Sequence, residues 1–355
     1  MIIPFVMKGN IIVACDSYKG CMSSSEVNAA VAEAFRRRGV DGGSIVPVEM
    51  SDGGDGMLDA FLAAMGGERV EVNVHDALMR WRTAEYGIVG DEAVVETAQA
   101  AGLAYVEPEQ RNPMRATSWG VGEIVMDAYR RGVRRFIVGL GGSATSDCGI
   151  GMLRAMGDDW KKVAADCSFV LASDVVNPLY GADGAAHVFA PQKGADAEMV
   201  EALDARARRF ADVCSRHFGY DCSHKPGAGA AGGLGYAFMQ FFGAVQQPGA
   251  ELLLQRVSFD TMLADAALVV TGEGHSDRQT LMGKLPVWVL RHANSHGVPA
   301  WLVSGGVDDA GAMLEAGFSR VIAVTPDDMP LSVALEKGVA ADNIVKAISR
   351  AAIAL

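Results

Sequence analysis

Five short apolar runs in this chain each end on an acid set among small residues: Ile12-Val13-Ala14 before Asp16, Val46 to Val48 before Asp52, Phe136–Val138 before Asp147, Phe169–Leu171 before Asp174, and Leu268–Val270 before Glu273. A strand buried on both faces of a parallel sheet reads as a continuous β-branched run rather than as an alternation. Ligands of open α/β sheets gather just outside the carboxyl ends of such strands. Here those ends carry carboxylates, glycines and hydroxyls, a set that suits divalent metal and phosphate better than apolar ligands. The pattern predicts an α/β protein with a mostly parallel sheet and phosphoryl chemistry at its strand tips.

At 355 residues, half of them hydrophobic, the chain exceeds the usual single-domain size, which predicts two α/β domains with a cleft between them. A net charge of −12 argues against nucleic acid and anionic membrane as partners. The six cysteines form no CxxC pair and no zinc-ligand spacing with histidine, which predicts free cytosolic thiols. Met1–Val6 is too short for a signal segment, and no apolar run approaches about twenty residues, so a soluble cytoplasmic protein is expected. No heptad or surplus apolar stripe appears, which leaves a homo-oligomer open.

Helical periodicity follows the strand-like runs. Val27, Ala30, Val31, Ala34 and Phe35 lie on one face behind Ser23-Ser24-Ser25-Glu26, a capping box. Further helices are predicted through Met57–Met65, Val121–Tyr129, Met199–Phe210, Pro286–His292, around Met313 and at Ile344–Ile348. Residues 68–96 differ in texture: Val70, Val72 and Val74 alternate, and Thr83–Val89 and Ala93–Val95 follow, which predicts antiparallel strands. The run Gly227–Gly235 opens an apolar segment through Phe242, and its glycines suit either close approach of backbone to a ligand or tight helix packing.

Gly139-Leu140-Gly141-Gly142-Ser143-Ala144 follows a strand and matches G-x-G-x-x-A. The dinucleotide reading fails on context, because Thr145–Gly151 continues as loop where a helix should open, and Asp174 lies too far on. Met282-Gly283-Lys284 lacks the upstream glycine of a Walker A loop and is followed by Leu285. What remains is a backbone nest at Gly141 and Gly142, with Ser143, Thr145 and Ser146 as hydroxyl donors and Asp147 as a metal ligand. A second dense loop, Thr271-Gly272-Glu273-Gly274-His275-Ser276-Asp277-Arg278-Gln279-Thr280, with Lys284 beyond it, suits Mg²⁺ and phosphate together. The competing reading is that Glu273 and Asp277 cap the next helix and Lys284 is a surface cation. Lys19, in Asp16-Ser17-Tyr18-Lys19-Gly20, and Lys193, in Pro191-Gln192-Lys193-Gly194, stand in small-residue loops where a lysine would hold a phosphate or a carboxylate.

Taken in order, these segments resemble the type I glycerate kinases, a bacterial glycerate 2-kinase family. The matching stretches are Asp16–Gly20, Ser51-Asp52-Gly53-Gly54-Asp55-Gly56, Arg111-Asn112-Pro113, Thr117–Glu123, Gly141–Asp147, Asp174–Leu179, Pro191–Ala195, Gly229–Gly235, and Thr271–Gly274 with Asp277, Gln279, Thr280, Gly283 and Lys284. They span nearly the whole chain. The resemblance implies two α/β domains: a discontinuous Rossmann-like one with a mostly parallel sheet, placed at 1–70 plus 262–355, and an inserted one of mixed sheet at 71–261, with the active site in the cleft between them. It also implies ATP- and Mg²⁺-dependent phosphorylation of D-glycerate, and on that expectation we assign a set of roles. Asp174 takes the hydroxyl proton while Lys193 and Lys19 bind anionic groups. Asp16, Ser17, Asp52, Gly53, Gly54, Thr117, Ser118 and Asn177 hold glycerate. Gly141, Gly142, Ser143, Thr145, Gly272, Glu273, Gln279 and Lys284 hold the nucleotide, and Asp147 and Asp277 hold the metal.

Four departures from the family pattern stand out. The family usually carries a longer, glycine-containing stretch between the helix ending near Gly157 and the strand before Asp174, where this chain has only Asp158 to Cys167. Ala77-Leu78-Met79 replaces a Gly-Pro-Leu-Gly-like turn, and Cys15 and Asp55 replace a proline and a glutamate. Three other readings compete: a glycerate 3-kinase giving 3-phosphoglycerate, a nicotinamide-dependent oxidoreductase, and a non-catalytic small-anion or nucleotide-binding protein.

Overall fold

The structure is a computed structural model that describes residues 9–51, 54 and 56–351. Its strands in chain order are β1 (Asn10–Val13), β2 (Ile45–Pro47), β3 (Glu68–His75), β4 (Trp81–Val89), β5 (Glu92–Glu96), β6 (Arg135–Gly139), β7 (Ser168–Ala172), β8 (Val245–Gln247), β9 (Ala266–Thr271), β10 (His275–Ser276), β11 (Ala300–Ser304), β12 (Gly306–Val307) and β13 (Arg320–Ala323). Packing divides the chain into two units, Met1–Asp52 with Ala250–Leu355, and Gly53–Gly249.

In the first unit the sheet order is β13-β11-β9-β1-β2, with every pairing parallel. The β-branched runs supply its core: Ile11, Val13, Leu268, Val270, Trp301 and Val303 are buried together with Val27, Val31, Phe35, Ile344 and Ile348. The last five come from the helices Ser24–Arg37 and Lys337–Arg350. The capping box forms as expected, with Ser23 Oγ accepting from Glu26 N and Glu26 Oε2 accepting from Ser23 N at 3.0 Å. Two cations in the last turn, Arg36 and Arg37, oppose the helix dipole.

The second unit carries a mixed sheet of order β3-β4-β5-β6-β7-β8. β3, β4 and β5 run antiparallel, as the alternation at 70–74 predicts, but β5 then pairs parallel with β6, and β6 with β7 and β7 with β8. Ala93–Val95 is thus both the second arm of the β4–β5 hairpin and the strand at which the sheet changes sense. Its core joins Val95, Val138 and Leu171 of the parallel strands to Ile124, Val125, Met152, Leu234 and Phe238 on the helices. The helix Met57–Met65 packs on β4 and β5, and Leu58 N donates to Glu96 Oε1 at 2.8 Å. At the other junction, His292 bridges Glu251 at 2.9 Å and Asp260 at 2.6 Å, which ties residues 250–261 to the first unit. The divisions at 52/53 and 249/250 therefore differ from the expected ones near 70 and 262, because each flanking helix follows its packing partners.

Three local features acquire physical form. The turn at Ala77-Leu78-Met79 is held by Asp76, whose Oδ1 accepts from Leu78 N at 2.8 Å and Arg80 N at 2.9 Å, and it leads directly into β4. The shortened stretch is a single 3₁₀ turn, Gly157–Asp159, followed by the helix Trp160–Asp166, and Trp160 anchors it edge-on against Phe241 and Phe218. The glycine-rich run resolves toward packing. Ala231, Gly232 and Gly233 adopt left-handed backbone before the regular helix through Phe242, and a Cβ at Gly232 would fall 1.9 Å from the carbonyl oxygen of Thr145. No described helix is long and apolar enough to cross a membrane.

Candidate active site

The parallel register aligns Glu96 with Gly139 and Gly139 with Ala172, so the carboxyl ends of β5, β6 and β7 form one row. From this row issue Thr97, the loop Leu140–Asp147, and Ser173 to Asn177. Glu96 is a sixth strand-tip acid that the sequence reading missed. It is buried and accepts from Leu58 N and, at 3.3 Å, from Gln99 Nε2. The run Ala93-Val94-Val95 that precedes it was the available signal, hidden by the assignment to an antiparallel hairpin.

Lys193 ends the 3₁₀ turn Pro191–Lys193 and is only 3% exposed. Its Nζ donates to the carbonyl of Thr145 at 2.6 Å and to Ser143 Oγ at 3.2 Å. Both partners are neutral, so burial pushes the ammonium pKa down to about 8, against a smaller opposing pull from the charge of Asp147. A buried cation held by neutral oxygens is poised for an anion. It faces a cavity of about 320 Å³ lined also by Gly142, Ser143, Val175 and Gln192. Leu103 and Gly142 line in addition a cavity of about 500 Å³ that includes Glu96, Gln99, Arg69 and Arg111. Asp174 is exposed at the tip of β7, next to Val175.

Other expected site residues of this unit are otherwise engaged. Asp147 is buried, and its Oδ2 accepts from Ser118 N and Oγ, both at 2.9 Å, and from Gly151 N at 3.0 Å, while Oδ1 accepts from Gly149 N at 3.1 Å. The carboxylate clamps two loops together through these protein donors. Ser118 is wholly buried, and its Oγ, which donates to Asp147, also accepts from Met152 N at 3.0 Å. Thr145 is buried with its hydroxyl turned to Ala231 O at 3.4 Å, and contributes its carbonyl to Lys193. Asn177 closes a turn, its Nδ2 donating to Asp183 O at 2.8 Å. Ser143 and Gly142 remain in the cavity wall, and Thr117 lines a third cavity.

In the first unit, the tips of β1 and β9 adjoin. Asp16 is buried, its backbone N–H donates to Gly272 O at 2.9 Å, and its Oδ1 accepts from Ser17 N at 2.7 Å. Lys19 is exposed. A Cβ at Gly272 would fall 1.6 Å from Val303 O, so glycine there lets the tip of β9 close against β11. Glu273 is buried, with Oε1 accepting from Thr280 Oγ1 at 2.6 Å and Ser276 Oγ at 3.2 Å, and Oε2 paired with Lys284 Nζ at 3.1 Å. Glu273 is thus the centre of a side-chain network and does not cap the following helix. Asp277 Oδ1 accepts from Gln279 N at 2.8 Å and lies 3.8 Å from Lys284 Nζ. Asp52 and Gly53 lie outside the described residues, as does Asp55. The expected nucleotide-binding residues are therefore shared between the units: Gly141, Gly142, Ser143 and Thr145 in the second, Gly272, Glu273, Gln279 and Lys284 in the first.

A family model described as the glycerate kinase family matches residues 11–162 and 158–355. The two pieces meet inside the shortened stretch. A glycerate kinase of Halalkalibacterium halodurans is 36% identical over 369 positions, covering 96% of each chain. Because that alignment is longer than the 355 residues of this chain, the relative carries residues that this chain lacks. The glycerate 2-kinase of Escherichia coli K12 is 35% identical over 95% of each chain. A crystal structure from Salmonella typhimurium LT2, provisionally titled glycerate kinase 2, superposes with a TM-score of 0.82 at 35% identity, covering 97% of both chains.

Proposed function

This chain belongs to the glycerate kinase family, and we propose that it transfers the γ-phosphoryl group of ATP to a hydroxyl of D-glycerate, giving 2-phosphoglycerate and ADP. The observation that carries the reading is Lys193, a buried cation at the parallel strand tips whose direct partners among the described residues are neutral oxygens. Phosphoryl transfer asks for positioning and charge neutralisation more than covalent chemistry. The glycerate oxygen forms its bond to phosphorus as the bond from phosphorus to the bridging oxygen of ADP breaks, and that oxygen keeps the electron pair. We assign the departing hydroxyl proton to the Asp174 carboxylate. Lys193 neutralises the transferring group, while Ser143 Oγ and the Gly141 and Gly142 amides offer hydrogen bonds to its oxygens.

In the first unit we assign Gly272, Glu273, Gln279 and Lys284 to the nucleotide, and Asp16, Ser17 and Lys19 to anionic or hydroxyl groups of the substrates. Magnesium would supply further neutralisation of the phosphates. Such an ion takes one or two carboxylates, with phosphate and water completing its shell. Asp277 fits that demand, since its Oδ2 has no protein partner among the described residues. No group of three or more His, Cys, Asp or Glu side chains that could cage a metal occurs among them either. A cytoplasmic site of action, where ATP is present, accords with the reading.

Coupling to enolase tests the product, since only 2-phosphoglycerate feeds that enzyme directly. A signal that appears only after a mutase is added would replace the product by 3-phosphoglycerate. Asp174→Asn should lower kcat by about 10²- to 10³-fold, the usual worth of a positioned general base, with nucleotide affinity held within about twofold. Near-normal turnover in that variant would remove Asp174 from the role.

A further inference from the structure

We infer that the second unit contains a separate pocket for a phosphorylated small metabolite, built from Arg115, Arg154 and Arg206. These three line a cavity of about 420 Å³, with Met79, Met114 and Trp119 among its apolar walls. That volume suits a small metabolite. It shares no lining residue with the Lys193 cavity. The two are gripped apart by one loop: Lys193 takes the carbonyl of Thr145, and Arg206 Nη2 takes that of Ser146 at 2.6 Å.

Three features point to an anion. Three arginines converge although the chain as a whole carries −12. The side chains of Arg115 and Arg154 are exposed and make no ion pair or hydrogen bond among the described residues, and the one acid in the wall, Asp147, is engaged by the Ser118, Gly149 and Gly151 donors. Arg206 Nε is buried without a hydrogen-bond partner, and so is the neighbouring Ser146 Oγ. An arginine N–H left unpaired in a buried wall calls for an acceptor. Three guanidinium groups against a single carboxylate leave a local surplus near two positive charges, which matches a phosphate monoester dianion. Its three equivalent oxygens can engage several guanidinium forks at once, whereas each carboxylate offers two. Met79, Met114 and Trp119 would receive the carbon skeleton.

Titration calorimetry at low ionic strength with inorganic phosphate, glucose 6-phosphate and succinate tests this without reference to turnover, so its failure is distinct from failure of the kinase reading. Glucose 6-phosphate and phosphate should bind the wild type and the Lys193→Met variant alike. The double variant Arg115→Ala/Arg154→Ala should bind both at least about tenfold more weakly, as expected for loss of charge-assisted hydrogen bonds, while keeping wild-type turnover. Unchanged affinity in the double variant, complete loss of binding in Lys193→Met, or no binding to the wild type would overturn the pocket. Succinate binding as tight as glucose 6-phosphate would overturn the phosphate assignment.

Discussion

Lys193→Met should fold with a thermal midpoint close to that of the parent and lose phosphoryl transfer by about 10³-fold in kcat, as when a preorganised charge stabiliser is removed from a transition state. The two halves of this expectation come from one fact. The ammonium is buried against a carbonyl and a hydroxyl, with no carboxylate in contact among the described residues. Burying a cation without a counter-charge costs stability, so replacing it by a side chain of similar length and no charge leaves the fold within about 1 kcal/mol, the lost hydrogen bond to Thr145 offsetting the relief. The same isolation is what lets the charge act on an incoming phosphoryl group.

The pH dependence follows from the pKa of about 8. If the protonated amine is the working form, kcat/KM declines as pH rises through about 8, and the falling limb is missing from residual activity in Lys193→Met. Stability moves the other way. The folded value is depressed below the ordinary 10.5, so between about 8 and 10.5 the unfolded chain holds more protons and this group makes the fold more stable as pH rises. A falling activity limb accompanied by no loss of stability over pH 8 to 9 would separate titration of Lys193 from simple alkaline unfolding.

Asp147→Ala should lower the unfolding free energy by about 3 to 5 kcal/mol, because the donors of Ser118, Gly149 and Gly151 are left buried without an acceptor. For a unit of this size that is a fall in melting temperature on the order of 10 °C. Differential scanning calorimetry of the variant, with and without magnesium and nucleotide, decides between a clamp and a metal ligand. A clamp loses stability in both conditions. A variant that melts like the parent and loses only its response to magnesium would restore Asp147 to the metal.

The strand-tip acids were legible because burial on both faces leaves an uninterrupted apolar run, and an acid after such a run has few other places to sit. Asp16, Asp147, Asp174 and Glu273 all fall just beyond parallel strands. What a carboxylate does there was not legible, since its role depends on which donors the tertiary structure brings to it. Asp147 and Glu273 look alike in sequence, yet one is filled by backbone N–H groups and a serine, the other by hydroxyls and a lysine. Glu96 escaped because β5 has antiparallel and parallel neighbours at once, and only the neighbour across the sheet tells which end is which. The glycines at 232 and 233 were ambiguous for a related reason: close approach was readable, but the approaching group, the Thr145 to Cys148 loop, is remote in sequence. Lys193 was marked by its small-residue loop, and its burial adds the depressed pKa that sequence could not supply.

The most direct measurement is ADP release by the purified protein with ATP and magnesium, in the presence and absence of D-glycerate. The account expects release that depends on D-glycerate, stops on chelation of magnesium, and falls by about 10³-fold in Lys193→Met. No release on addition of D-glycerate, or an equal rate without it, would contradict it.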